Sequence, residues 1–450
     1  MESEYLLAAG IAAAYLLLCW HFLGHLLHAP RVVDVDAADC VLVAYASQGG
    51  QARQLAQDYA DILQSSSSPV LVTSLNKVNA PLIRKTSLAL FIVSTYGEGE
   101  PPDNALRFAR QWLQGNNKER LSHLRFAVLA LGDRQYQQFC AFGCALAKGL
   151  SLCGASQLFE TVQVDSMNTL DLANWQQRLA LHGLTSARMP PPAVSQEPAL
   201  APWQLQRRIC LNPGSPGGSV WHLRLVCRTG PQPEWLAGDI AQILPANDPA
   251  ASLREYSIAS IPTEGAIDLV VRQVRRADGS LGQGSGWLTE LAQPGDDVLL
   301  TIRSNPAFQP PCTTRPMILI GNGTGLAGLR AHLQAREIAG ARRNCLFFGE
   351  RTRSHDFLFQ DELLSWQHAG HLPELHLAFS RDQAQRRYVQ HLLLEQAALV
   401  RDWVEAGAVI YVCGSLEGME AGVRQALQTI LGEERLEAML IAGDLRRDVY

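Results

Sequence analysis

The chain has 450 residues, of which 47% are hydrophobic and 18% charged, with a formal net charge of −5. That length exceeds one hydrophobic core and points to about three domains. Nearly balanced charge with no basic run argues against a nucleic-acid partner. The ten cysteines include no Cys-x-x-Cys pair, so they suit neither a zinc site nor an iron–sulfur cluster and read as reduced, mostly buried thiols.

From Tyr5 to Leu27 the chain is almost wholly apolar, and about 22 helical residues at roughly 1.5 Å each cover a hydrocarbon core of roughly 30 Å. Residues 1–30 are therefore expected to form a single transmembrane helix. Glu2 and Glu4 precede it, Arg31 follows it and no small-x-small cleavage site appears. This pattern favours an uncleaved span of the cytoplasmic (inner) membrane with the body of the protein facing the cytoplasm. His21, His25 and His28 share one face of that helix. Haem ligation between two helices would use such a face, although histidines facing headgroups are commoner.

Val41–Ala46 predicts a buried parallel strand that Ser47-Gln48-Gly49-Gly50-Gln51-Ala52 turns into a helix running to about Leu63. Backbone amides at such a helix start can cradle a phosphate without a lysine, although a turn with no ligand would look similar. A second apolar strand, 88–93, ends in Ser94-Thr95-Tyr96-Gly97, and a third, 126–131, ends at Gly132-Asp133 with Tyr136, Phe139 and Cys140 following. Three loops at strand carboxyl ends form the crevice of a doubly wound sheet. Tyr96 and Tyr136 are placed there to stack on the two faces of a flat ring. Glu98, Glu100, Asp103 and Asp133 surround the same crevice, either as ordinary surface charge or as a rim that steers a basic partner.

Residues 184–203 hold five prolines and no apolar periodicity, which predicts a semi-extended linker. Residues 204–312 have the short strands and turn signals of a small antiparallel barrel. Within them, Arg254-Glu255-Tyr256-Ser257-Ile258-Ala259-Ser260 sets an arginine, an aromatic ring and a hydroxyl at alternate positions of a predicted strand, on one face. An anionic, flat, redox-active ligand asks for that set; a plain amphipathic barrel strand is the alternative. Gly282-Gln283-Gly284-Ser285 then opens a helix with a second phosphate-compatible turn.

Met317–Ile320 predicts a buried strand followed by Gly321-Asn322-Gly323-Thr324-Gly325 and a helix through Ala335. After a later strand, Ser380, Arg381, Arg386 and Arg387 offer a hydroxyl and cations for a ribose 2′-phosphate, and Tyr388 a ring for adenine. Cys413 stands at a strand carboxyl end, and the chain closes on Arg447-Asp448-Val449-Tyr450.

Arg254-Glu255-Tyr256-Ser257 resembles the Arg-x-Tyr-Ser signature of the ferredoxin-NADP reductase superfamily. The whole set, in order over residues 38–450, resembles the diflavin reductases, which include the sulfite reductase flavoprotein and the NADPH-cytochrome reductases. The resemblance implies an α/β fold: a flavodoxin-like doubly wound FMN domain (38–183), the linker, an FAD-binding barrel (204–312) and an α/β NADPH domain (313–450). It places FMN at Ser47, Gln48, Gly49, Gly50, Gln51, Ala52, Ser94, Thr95, Tyr96, Gly97, Leu131, Gly132, Asp133, Tyr136, Phe139 and Cys140. FAD falls to Arg254, Glu255, Tyr256, Ser257, Gly282, Gln283, Gly284, Ser285 and Tyr450, and NADPH to Gly323, Thr324, Ser380, Arg381, Arg386, Arg387, Tyr388, Gln390 and Cys413. Ser257, Cys413, Asp448 and Tyr450 would surround the hydride path.

The implied function is transfer from NADPH through FAD and FMN to a one-electron acceptor, a haem protein or other metal acceptor at the membrane. A sulfite reductase haem subunit is the alternative acceptor. A non-catalytic flavin-binding sensor or tether is the reading from another class. Four departures from the family stand out: Gly49 for a threonine, Asn322 for a proline, Gly422 for an aspartate, and only Pro249–Leu253 where relatives carry a helical connecting domain.

Overall fold

The computed structural model describes residues 40–450 apart from 48–49, 66–68, 96–98, 114–119, 135–137, 186–199, 229–232 and 277. The expected span at Tyr5–Leu27, its histidines and most of the proline-rich linker lie outside the described residues. Among the described residues no helix is long and apolar enough to cross a membrane.

Strands β1 (Val41–Ala46), β2 (Val70–Ser74), β3 (Leu88–Ser94), β4 (Arg125–Gly132), β5 (Ser156–Gln157) and β6 (Val162–Asp165) build the first sheet. Its order is β2-β1-β3-β4-β5, with β6 also pairing β4, and every pairing is parallel. β3 and β4 are buried almost throughout because helices cover both faces. Helices Gln51–Ser65 and Thr169–Leu181 pack on one side through Leu55, Tyr59, Leu172 and Trp175. Helices Leu106–Trp112 and Ala141–Leu152 pack on the other through Phe108, Trp112 and Leu146. Trp175 meets Tyr59 and Phe159 edge-on, contacts that each contribute about 0.5–1.5 kcal/mol beyond burial.

The second sheet is antiparallel: β7 (Ala201–Cys210), β8 (Val220–Cys227), β9 (Ile240–Ile243), β10 (Arg254–Ser257), β11 (Ile267–Arg272) and β12 (Asp297–Arg303), in the order β10-β9-β12-β7-β8-β11. A bridge between Ile258 and Leu269 joins the two ends and closes a barrel. β9 passes to β10 through one 3₁₀ turn at Pro245–Asn247 and a short loop.

The third sheet comprises β13 (Met317–Asn322), β14 (Asn344–Glu350), β15 (Glu374–Phe379), β16 (Val409–Gly414) and β17 (Leu445–Val449), all parallel, in the order β15-β14-β13-β16-β17. Register sets Cys413 of β16 opposite Asp448 of β17. That pairing sets the end of the chain beside β16, at the edge of the sheet.

Candidate functional site

β1, β3 and β4 end at one edge of the first sheet. The Ser94 hydroxyl donates to the Ala46 carbonyl and the Thr95 amide to the Leu131 carbonyl, each at 3.0 Å, which ties those ends together. The Ser47 amide donates to Asn104 Oδ1 at 3.0 Å, while the Ser47 hydroxyl is buried with no partner. An orphaned hydroxyl at the start of helix Gln51–Ser65 fits a phosphate. Asn104, which sequence reasoning missed, holds that loop. Ser47, Gln51, Ser94, Thr95, Leu131, Gly132 and Asp133 face the cleft, and Gly50 shapes the turn at φ +88°.

Three expected FMN contacts are elsewhere. Ala52 is wholly buried in helix packing. Cys140 precedes its helix in a left-handed turn (φ 54°), which sends the thiol into the core to donate to the Ala130 carbonyl at 3.2 Å. Burial pushes that thiol up to about 12, so it stays protonated. Phe139 is covered by the Arg134 guanidinium, 4.6 Å from the ring centre, and does not wall the cleft. Gln48, Gly49, Tyr96, Gly97 and Tyr136 lie outside the described residues.

On the barrel, Arg254 and Tyr256 share a face as expected, and Gly284 packs on both. A Cβ at Gly284 would lie 2.8 Å from Arg254 Cγ and from Tyr256 Oη, so the loop approaches the strand only as glycine. Arg254 Nη2 also donates to Gln283 Oε1 at 3.3 Å, and Ser285 Oγ accepts from the Val274 amide at 3.1 Å. Guanidinium, ring and glycine turn thus converge, as a flavin dinucleotide requires. Burial pushes the Tyr256 phenol up to about 12 and keeps it a neutral donor.

The hydroxyl of that set needs correction. β10 stops at Ser257, so alternation fails beyond it. Ser260, the alternating position, is fully buried, donating to the Ala266 carbonyl and accepting from the Asp268 amide, both at 2.8 Å. Ser257 follows Tyr256 directly and turns to the third sheet. Glu255 faces the cleft, but Arg303 and Gln242 take its carboxylate at 2.9 Å each.

Ser257 Oγ donates to Asp448 Oδ2 at 2.8 Å, and the Cys413 thiol reaches the same oxygen at 3.8 Å. Residues from the barrel, β16 and β17 therefore meet on one carboxylate oxygen. Burial raises both the Cys413 thiol and the Asp448 carboxyl above their usual values. Cys413 is fully buried behind the cleft rather than in its wall. The helix after β13 approaches it closely, since a Cβ at Gly325 would lie 2.1 Å from the Cys413 carbonyl oxygen. Asn322 Oδ1 accepts from the Ser415 amide at 3.0 Å, binding the two strand ends together, a role that proline could not fill. Tyr450 is 57% exposed, with its amide bonded to the Gly414 carbonyl (3.0 Å) and its phenol to Thr324 Oγ1 (3.2 Å).

Gly323, Thr324, Ser380, Arg381, Arg387, Tyr388 and Gln390 also line the cleft. Arg386 does not: it is exposed, outside the wall. Arg387, next in sequence, reaches the wall while its guanidinium is engaged by Glu395. Gly422 leaves room for Gln390, whose side chain a Cβ there would meet at 3.0 Å.

These residues from all three sheets line one cleft of about 1820 Å³. Near its edge Arg447 of β17 pairs with Asp103 of the first domain and with Glu420 of the third. Arg110 reaches Glu433 at 3.1 Å and Glu437 at 3.4 Å beside it. Of the acidic residues that could be either ordinary surface charge or a steering rim, Asp103 is neither free surface charge nor open rim, since its carboxylate pairs with Arg447. Glu98 lies outside the described residues.

Residues 43–175 match the flavodoxin family, and residues 319–425 match the oxidoreductase NAD-binding domain. The chain is similar to the sulfite reductase [NADPH] flavoprotein alpha-component of Bacillus subtilis (strain 168), 28% identical over 91% of this chain and 89% of the relative. The corresponding proteins of Thiocapsa roseopersicina (29% identical; 85% and 82% covered) and Vibrio vulnificus (strain CMCP6) (26%; 94% and 89%) are similar too. The Bacillus alignment spans 543 positions against 450 residues here, so that relative carries internal sequence absent from this chain. Matches to a flavodoxin and to an NAD-binding model, similarity over most of the chain and a cleft shared by three domains support the resemblance to the diflavin reductases, with FMN, FAD and NADPH as cofactors.

Proposed function

We propose that the protein is an NADPH-dependent diflavin oxidoreductase that delivers single electrons to a haem-containing or other metal-containing acceptor at the cytoplasmic membrane, tethered there by residues 1–30. The observation that carries this reading is the single cleft onto which the first-sheet loops, the barrel strand β10 and the nicotinamide domain all open. When bound, the flavins accept a hydride from NADPH and release its electrons one at a time.

The protein's own part is positional. Ser47 would hold a phosphate at the first crevice, and Arg254 with the Gly282–Ser285 turn would hold a pyrophosphate on the barrel. Asp448, fixed by the Ser257 hydroxyl and the Cys413 thiol, would set negative charge near a bound nicotinamide and so favour the positive charge that hydride loss leaves on it. Tyr450, whose phenol bonds Thr324 Oγ1, would cover the inner face of the bound flavin until nicotinamide displaces it.

A sulfite reductase haemoprotein is the second acceptor reading, favoured by the names of the relatives and by the Arg-Asp-Val-Tyr ending. Stopped-flow oxidation of the full-length, flavin-reconstituted protein by ferric chelates, cytochrome c and sulfite reductase haemoprotein separates the two. Preference for the haemoprotein selects the second reading, and preference for the others selects the first. No bleaching of bound flavin by NADPH would sink both and leave a non-catalytic flavin-binding protein.

A further inference from the structure

We propose that the edge of the first domain opposite the cleft is a docking surface for anionic lipid headgroups, which hold the domain against the bilayer with its crevice facing away. The inference rests on the membrane-tether reading of residues 1–30 and adds an orientation to it.

Parallel register defines that edge: Val70, Val41, Leu88, Arg125 and Ser156 are successive partners at the amino ends of β2, β1, β3, β4 and β5. Helices Ala141–Leu152 and Thr169–Leu181 follow strands that end at the cleft, so their carboxyl ends reach the opposite edge. The segments between are tied together. The Leu121 amide donates to the Cys153 carbonyl at 2.7 Å, the Arg125 amide to the Ser87 carbonyl at 2.9 Å, and His123 Nε2 to the Ile83 carbonyl at 3.2 Å.

The edge combines apolar side chains with cations. Leu152 and Leu181, which end helices on either side of the sheet, are 80% and 77% exposed, two of the three most exposed large apolar residues among those described. Lys85, Arg120 and Arg125 are exposed on the same edge, a local excess in a chain of net charge −5. Asp103 and Asp133 follow the carboxyl ends of β3 and β4 at the other edge. The domain is therefore polar along its strands, and a negative plane turns it one way.

The chain itself brings that plane near. Thirteen residues separate Leu27, the end of the apolar stretch, from Val41, where β1 begins on this same edge, and fully extended they span at most about 45 Å. Each Lys or Arg beside an anionic leaflet gains about fivefold in affinity, and leucines enter the headgroup boundary. Strand β4 runs eight residues from Arg125 to Gly132, so at about 3.3 Å each the crevice stands roughly 26 Å above the headgroups. An acceptor would meet it off the bilayer, not within it.

The test is lysine acetylation read by mass spectrometry, on the flavin-loaded full chain in nanodiscs of phosphatidylcholine with and without phosphatidylglycerol. Lys77, exposed after the cleft end of β2, is the internal control. Lys85 should label at least about fivefold more slowly in the anionic discs and recover in about 0.5 M salt, which screens the contact. Arg120→Glu combined with Arg125→Glu should abolish the slowing and leave both Lys77 labelling and flavin bleaching by NADPH as in the unaltered protein. Equal Lys85 labelling in the two bilayers overturns the proposal, whether both are slow, as a second copy of the chain covering the edge would make them, or both fast. Slowing of Lys77 in place of Lys85 overturns it too. A full chain that does not co-elute with the discs would instead overturn the tether reading beneath it.

Discussion

Replacing Arg447 with alanine should undock the first domain from the cleft. Its guanidinium and the carboxylates of Asp103 and Glu420 are only 10–15% exposed, so they fall between surface and buried pairs. Removing one partner of a buried pair costs about 3–5 kcal/mol; partial hydration here reduces that to roughly 2–3 kcal/mol. The equilibrium constant for docking then falls roughly 30- to 150-fold. The outer pairs of Arg110 with Glu433 and Glu437 are more exposed and add little. Stopped-flow mixing with NADPH should show the first phase of flavin bleaching within about threefold of the unaltered protein, and a second phase at least tenfold slower. Small-angle scattering should show a larger radius of gyration. Asp103→Asn, which leaves Arg447 its bond to Glu420, should give a smaller effect of the same kind. An unchanged second phase and an unchanged radius in Arg447→Ala would refute the docking role.

Ser47→Ala removes a buried, orphaned hydroxyl of the first crevice and should weaken FMN about 10- to 100-fold without loss of FAD, as measured by released-flavin fluorescence on dilution. For Asp448, burial lifts the folded carboxyl above its ordinary 3.8, so its contribution is fully present below that value and is lost as pH rises through the folded one. Asp448→Asn should therefore gain stability over the unaltered protein as pH rises from about 4 to 8 in thermal melts, while slowing flavin bleaching; a pH-independent stability difference refutes this. Tyr450→Ala should raise the use of NADH relative to NADPH, because the exposed ring and its bond to Thr324 then no longer obstruct the nicotinamide. An unaltered NADH to NADPH ratio of kcat/KM counts against that role.

Much of the molecule was legible along the chain. Runs such as Val41–Ala46 and Met317–Ile320 declare buried parallel strands by composition, and the glycine-bearing turns after them mark where backbone must come close to a ligand. The direction of a side chain past an irregular point was not legible. Cys140 turned inward because its residue adopts a left-handed conformation, and the alternation of β10 ended at Ser257, sending Ser260 into the core. Arg386 and Arg387 could not be told apart by residue type, since either could reach the cleft from the same loop.

Local patterns along the chain specify the elements, their order and the chemical character of each loop, because strand period, turn residues and helix starts depend on neighbours a few positions away. Tertiary structure alone decided the meetings across distance. Ser257 finds Asp448 across 191 positions, and Arg447 finds Asp103 across 344. Such pairs arise from how three separately folded sheets stack against one another, and no local pattern in a chain encodes that stacking.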